Sequence, residues 1–480
     1  MARRGRWLVL CAVVVLVATG CTSDSDEPSD ADTSASASMH GSPITDTASG
    51  STLATPPEIA SVDGVLRAEL TLERREVSIA GRQVDALAVN GSWIMPTLRF
   101  APGDTVELDL VNDSGEPVNL HFHGLHVSPT GESDNIFRVV DPSTTAHYRL
   151  DIPADHEPGT FWYHSHFHRE SEQQVYRGMS GMMIVDGLTE LLPSELRTVD
   201  EHVFALKQVG FADGEIPLDL EVKRQDLVVN GQLEPSVALG SGQTQLWRIG
   251  NISADSFFDV QLRDHVFHVI AEDGWPVSEI RDVDSLVLPP GKRYDVLVQG
   301  GKAGAYELIT RKYDQGFEVF PEATLAAVTV TDDGDAPAEI PTEGLMPFDD
   351  LSDATIAQRR EFTFSEEEVG GETSFRINDR VYEHHRVDAE PSLGTVEEWT
   401  LRNTTSEQHP FHIHVNDFQV MSVNGEPYDA VGRQDTVIIP IGGEVVIRIP
   451  FQDFAGAFVF HCHILFHEDH GMMAIVDVQE

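Results

Sequence analysis

Cysteine is almost absent from this chain. Its 480 residues hold three, Cys11, Cys21 and Cys462. Two of them fall in the first 21 residues, so the body of the chain has one thiol and no internal disulfide is possible there. Basic residues are also scarce: 32 Lys and Arg stand against 79 Asp and Glu, a formal charge of −47. A surface that acidic repels nucleic acid and anionic membranes, which argues against both as partners, while it favours solubility and attracts cations. With 38 Gly, 26 Pro and 41% hydrophobic residues, the composition fits a loop-rich globular protein and not a coiled coil or collagen.

What is present begins with a leader. Arg3, Arg4 and Arg6 precede an apolar run from Trp7 to Val17, too short to span a bilayer. Residues 1–20 therefore read as a secretory signal, similar to that of a bacterial lipoprotein with Cys21 as the lipidated first residue. Arg3-Arg4 also resembles a twin-arginine signal. The expected place is outside the cytoplasm, on the outer face of the cell membrane through lipidated Cys21, or secreted. That lipid is the only membrane contact expected. Residues 21–64, rich in Ser, Thr, Asp, Ala and Pro, predict a disordered tether.

Beyond it, short β-type runs recur between turn signals: Thr105 to Val111, Thr160 to His164, Gly181 to Asp186, Gln245 to Ile249, Tyr294 to Val298, Glu444 to Ile449 and Ala457 to His461. Few segments of helical period compete with them, so an all-β fold of sandwiches is expected. Three blocks share an outline of alternating apolar residues ending on Asn: Val106 to Asn112, Thr244 to Asn251 and Val396 to Asn403. Their spacing of roughly 140 to 150 residues predicts three consecutive β-domains. The expected boundaries are 65–190, 191–340 and 341–480, marked by Leu192-Pro193-Ser194 and by the loose acidic stretch from Asp332 to Asp353.

Histidine carries the chemistry. Eight of the 21 form four His-x-His pairs: His121/His123, His164/His166, His412/His414 and His461/His463. Residues i and i+2 of a strand share a face, so each pair presents two imidazoles together. Neutral imidazole suits copper and zinc. Two pairs lie in the first expected domain and two in the last, which places a shared site at the interface between those domains. Cys462 stands between His461 and His463, so its sulfur takes the opposite face and one strand feeds two sites. A thiolate with two imidazoles and a weak axial Met is the ligand set of a blue-copper centre, and His409, His467 and Met472 are the candidates to complete it. A bound metal would also protect a lone thiol in an oxidising compartment.

These residues resemble the multicopper oxidase family, of the three-domain laccase-like kind. The likeness rests on His121-Phe-His-Gly-Leu125, Trp162-Tyr-His-Ser-His166, His409-Pro-Phe-His-Ile-His414 and the run from His461-Cys-His to Gly471-Met472. Val269 to Gly274 and Pro290 to Val298 resemble the family's metal-free second domain. The resemblance spans about 65 to 480 and implies three cupredoxin-like Greek-key sandwiches. It implies four copper ions: one type 1 (His409, Cys462, His467, axial Met472), one type 2 (His121, His412) and a type 3 pair (His123, His164, His166, His414, His461, His463). The implied reaction takes single electrons from a small reducing substrate (a phenol, an aromatic amine or a metal ion), passes them through Cys462, and reduces dioxygen to water. Glu468 and Asp134 are the implied proton-delivery groups. The family's Pro-Gly-Pro-Thr signature is replaced here by Gly91-Ser-Trp-Ile-Met-Pro96-Thr97. His126, His168, His470 and the pair His384-His385 are expected to be surface or supporting residues and not ligands.

A phenol oxidase is the leading expectation, and a metallo-oxidase of Cu(I), Fe(II) or Mn(II) is the alternative. The ten Met are scattered and form no Met-rich insertion, which argues against a dedicated cuprous oxidase. A third class, a copper-free structural protein, would show replaced ligands, and none is replaced.

Overall fold

The computed structural model of the chain describes residues 39–212, 214–217, 225–334 and 336–480. The expected signal, Cys21 and tether residues 22–38 lie outside the described residues. Among the described residues no helix is long and apolar enough to cross a membrane.

Residues 39–64 correct the expected tether, because the structure binds them to the fold. Met39–His40 pairs with Glu58–Ala60, which runs parallel to Met95–Phe100. Ile59 is buried in the first core. Backbone bonds to residues 233–236 hold it as well: Leu233 N–H donates to Thr47 O, Gly50 and Leu53 N–H donate to Glu234 O and Ser236 O, and Ser236 N–H donates to Ser51 O. A distant side chain adds four more. Gln232, 1% exposed, reaches the carbonyls of Asp46 and Thr52 and the hydroxyl of Ser51 with its amide nitrogen, and its oxygen accepts from the Ala54 N–H. Composition reports how much apolar surface a segment can bury. It says nothing of a remote polar group that completes the segment's backbone hydrogen bonds.

Three times the chain builds the same four-strand unit. In the first, Val65–Ile79 lies between antiparallel Arg82–Val89 and parallel Thr105–Asp113, which pairs on its far side with Thr144–Asp151. Asp200–Gly210, Gln225–Val229, Thr244–Asn251 and Arg293–Gln299 repeat the arrangement, as do Ile356–Val369, Glu372–Ile377, Thr395–Asn403 and Glu444–Phe451. Period-two patterning drives this. In Thr105–Asp113, Val106, Leu108 and Leu110 are buried while Asp109 and Asp113 are exposed. Each buried face packs on a second sheet of five or six strands and encloses its own apolar core, giving three consecutive β-sandwiches.

One asparagine ends the central strand in every unit. Asn112, Asn251 and Asn403 are all buried. Each Oδ1 accepts from the N–H and hydroxyl of the Ser or Thr two residues on: Ser114, Ser253 and Thr405. Each Nδ2 donates to two carbonyls: Glu116 and Val140, Ser256 and Leu288, Glu407 and Ile439. This Asx closure fixes the turn after the strand.

The second sheets carry the histidine pairs, with His166, His414 and His463 just past the ends of their strands. In the first sandwich His121–His123 pairs with Gly159–His164, setting His121 opposite His164. In the third, His409–Ile413 pairs with Gly456–Cys462, setting His412 opposite His461. The second sheet of the middle sandwich contains no histidine in its strands.

Gln232→Ala is expected to loosen residues 46–54, where its side chain makes its four bonds, and to destabilise the protein by about 2 kcal/mol, the net value of a few hydrogen bonds. Limited proteolysis under native conditions, read by mass spectrometry, checks this. A digest identical to the parent's would contradict it.

Candidate metal centre

Strand alternation sets what surrounds Cys462. Its side chain enters the core of the third sandwich with Met472, both fully buried, while His461 and His463 turn to the imidazoles of the first sandwich. Cys462 Sγ lies 3.5 Å from His409 Nδ1 and 3.6 Å from His467 Nδ1, and those two nitrogens are 3.3 Å apart. The far edge of His409 meets Thr405, with Nε2 2.9 Å from the hydroxyl. That hydroxyl has Asn403 Oδ1 at 2.8 Å for its own proton, so it accepts from His409 Nε2–H and leaves the Nδ1 lone pair facing the sulfur. Phe375 stacks on His467 at 4.1 Å. The Met472 carbonyl accepts the Cys462 N–H at 3.0 Å.

Behind Cys462 the other eight imidazoles form one cluster, none more than 2% exposed. The two sandwiches interleave: His121 stacks on His414 and His123 on His412, each at 3.6 Å. His121 Nε2 is 3.4 Å from His412 Nε2, and His166 Nε2 is 3.2 Å from His461 Nε2. Oxygens on the outside choose the tautomers. His121 Nδ1 meets Asp134 Oδ2 at 3.0 Å, and the Nδ1 atoms of His164, His412 and His461 meet the carbonyls of Ser165, Asp435 and Cys462 at 2.9, 2.8 and 2.9 Å. A carbonyl only accepts, so Nδ1 of His164, His412 and His461 carries the proton and their Nε2 lone pairs point inward, and the ionised Asp134 carboxylate sets His121 the same way.

Those lone pairs meet no protein donor. Nε2 of His123 and His164 and both ring nitrogens of His414 and His463 have no hydrogen-bond partner. Burial and the neighbouring imidazoles hold the cluster uncharged, with His164 pushed down to about 3 and His461 to about 4. Burial likewise lowers His409 to about 3, and it raises the Cys462 thiol well above its usual value. A thiolate is therefore stable at this place only beside a cation. Neutral imidazoles with unmet lone pairs, and a buried thiol beside two imidazoles and a thioether, are donors that suit copper, so the residues present fit that metal.

The two predicted carboxylates are both buried against this cluster. Glu468 faces His166 Nδ1 at 3.4 Å and His461 Nδ1 at 3.2 Å, and accepts from Ser171 Oγ at 3.1 Å. Burial pushes its carboxyl well up. Asp134 is raised by burial to about 8, opposed by the Phe122 N–H it accepts. Of the flanking histidines, His126 spans Val415 O and Asp453, His168 packs edge-on to Tyr382, His470 bonds Phe466 O, and His384 and His385 lie side by side on the surface. None of them joins a ligand group.

Sequence reasoning missed two sets of residues. Asp435 sits between His123 and His412, in the grip of Arg293. Glu407 and Glu366 sit at the outer edge of the cysteine centre, 3.5 Å from His467 Nε2 and 3.6 Å from His409 Nε2. The run Gln434-Asp435-Thr436 carries no pattern of its own, and only its place opposite His412 in the sheet gives it meaning.

Three cupredoxin-like sandwiches, with a cysteine–histidine centre tied by one strand to a histidine cage, define a copper oxidoreductase. Three family models described as multicopper oxidase match residues 71–190, 200–334 and 350–480, and the chain belongs to that family, whose members use dioxygen and a reducing substrate. It is 25% identical to the multicopper oxidase Mco of Staphylococcus haemolyticus over 409 residues, 82% of this chain and 84% of the other. It is 28% identical to the cell division protein FtsP of Xenorhabdus nematophila, over 84% and 87% of the two chains. A laccase of Haloferax volcanii is 29% identical, over 74% and 66%. Among solved structures, a metallo-oxidase from Campylobacter jejuni superposes with a TM-score of 0.79 at 25% identity, covering 90% of this chain and 96% of that one.

Because the inward lone pairs lack donors, copper is expected to stabilise the folded chain strongly, by about 4 kcal/mol for a site held at a thousandfold excess over its Kd. Calorimetry of chelator-stripped and copper-loaded protein tests this. Identical melting midpoints would count against the fit.

Proposed function

We propose that the chain is a laccase-like enzyme that oxidises a phenol or similar small donor at the Cys462 centre and reduces dioxygen to water at the histidine cluster. One observation carries the reading: Cys462 faces one donor set while its neighbours His461 and His463 belong to another. His409, Cys462, His467 and Met472 would hold a type 1 copper, His121 and His412 a type 2 copper, and His123, His164, His166, His414, His461 and His463 a type 3 pair. Four copper ions so held would supply one-electron acceptance from the donor and four-electron reduction of dioxygen.

The chain supplies the rest. The peptide links from Cys462 to its two neighbours are the shortest covalent path between the two places. Packing of both sandwiches over the cluster excludes bulk water from it. Glu468 holds a proton between His166 and His461, with the Ser171 hydroxyl as its next partner. Asp134 keeps the His121 Nδ1 proton on the outer edge. The leader read in residues 1–21 supports a place outside the cytoplasm, with a lipid on Cys21 as the anchor. One relative is named a cell division protein, but a copper-free structural role fits poorly with buried imidazoles whose lone pairs go unmet.

A second reading, oxidation of Fe(II), Cu(I) or Mn(II), is favoured by Glu366 and Glu407. With His409 they bring ligand atoms within 4.8 Å of one another at the outer edge of the cysteine centre. Glu366 is exposed and Glu407 buried, so the pair leads from solvent to the ligand histidines.

Oxygen uptake by copper-loaded protein, compared for a phenol, Fe(II), Cu(I) and Mn(II), decides between them. Uptake with the phenol is expected, and Cys462→Ser is expected to abolish the blue absorption and the turnover together. No uptake with any donor, or turnover surviving in Cys462→Ser, overturns the oxidase reading. Glu366→Gln is expected to leave phenol turnover within about twofold. A drop of about tenfold or more in kcat/KM for a metal ion alone would transfer the assignment to the second reading.

A further inference from the structure

The middle sandwich brings no imidazole to the cluster, yet it reaches it. Gly291 (φ +90°) lies so close that a Cβ there would stand 3.0 Å from His123 Nε2 and 3.1 Å from His463 Cδ2. Beside it Arg293, fully buried, binds all three sandwiches at once. Its Nε donates to Thr160 O at 3.2 Å, its Nη2 to Asp273 O at 2.8 Å and its Nη1 to Gly291 O at 3.0 Å. The same two Nη atoms sit 2.8 Å from Asp435 Oδ1 and 2.8 Å from Asp435 Oδ2. Nη1 donates the hydrogen bond, to Oδ1, while Nη2 and Oδ2 meet as an ion pair, and a planar guanidinium reaches both carboxylate oxygens in a way that one ammonium does not.

The grip extends along the Asp435–Thr436 peptide. Asp273 Oδ2 accepts from the N–H groups of Asp435 and Thr436 at 3.3 and 3.2 Å. Lys292 Nζ donates to that same Oδ2 at 2.9 Å and to Thr436 O at 3.0 Å. Thr436 is the register partner of His412 in the sheet, and the Asp435 carbonyl accepts the His412 Nδ1 proton at 2.8 Å. Space for the guanidinium depends on Gly124 (φ +87°), where a Cβ would lie 2.5 Å from both Arg293 Nη2 and Asp435 Oδ2.

We propose that Arg293 is a positioning residue for the histidine cluster: by gripping Asp435 it holds the carbonyl that takes the His412 Nδ1 proton, and so keeps His412 Nε2 aimed at His121 Nε2, 3.4 Å away. The role rests on the reading of His121 and His412 as ligands of a non-blue copper. It makes the metal-free sandwich part of the metal centre.

The test uses the copper-loaded full chain and two variants. Arg293→Lys keeps the charge and loses the fork. The double variant Arg293→Met/Asp435→Leu removes both charges together, so that neither is left buried alone, and it serves if the single variant does not fold. Each is dialysed against graded chelator while the non-blue copper is read by electron paramagnetic resonance and the Cys462 centre by its blue absorption. The melting midpoint of the copper-free protein is followed alongside. The expected result is a non-blue copper bound about 10- to 100-fold more weakly, with the blue band kept and the copper-free midpoint of the double variant close to the parent's. Unchanged non-blue affinity overturns the proposal, and so does loss of both signals together, which marks a purely structural role. A parent chain with no non-blue copper would instead defeat the copper reading itself.

Discussion

Lone pairs buried without donors are the constraint on which this structure turns. A polar atom taken out of water and left unpaired costs a few kcal/mol, and the cluster gathers several of them within a few ångströms. The fold tolerates this because each ring is held from outside. For His121, His164, His412 and His461 a carboxylate or carbonyl takes the outer proton, aromatic neighbours fill the space around the rest, and two sandwiches close over the inner face. The same arrangement that looks like a defect in the bare chain suits metal ligation, because the outer oxygens of four rings leave their inner nitrogens with nothing else to do.

Much of this was legible in the sequence because it is local. His-x-His on a strand fixes which side chains share a face, and a cysteine between two such histidines must face away from them. The triple unit was legible from Val106 to Asn112 and its two counterparts, since a period of two and a closing asparagine survive without any tertiary information. The cysteine centre was also readable, because His461 to Met472 brings three of its four members within twelve residues.

What stayed hidden depends on residues far apart in the chain. Arg293 lies 142 positions from Asp435 and 133 from Thr160, and no short motif announces a guanidinium shared by three sandwiches. Pro290 to Val298 did resemble a family block, yet resemblance alone gave it no task. Glu407 reads as an ordinary acid in an acidic chain until the fold sets it beside His467. Residues 39–64 failed for a related reason: their order comes from strand partners in the first sandwich and from residues 230–236, Gln232 among them, and composition counts only what a segment brings with it.

The asparagine latch has a wider consequence. Asn112, Asn251 and Asn403 make the same four kinds of hydrogen bond although their sandwiches differ in chemistry, the outer two lining a metal cage and the middle one carrying no ligand histidine. The frame of each unit is thus secured by contacts that do not involve the residues it displays. Such a module can be copied in tandem, and its copies can drift in what they present while inheriting how they close. One copy can therefore carry no ligand histidine and still close in the same way as its neighbours, its own residues left free for contacts with them.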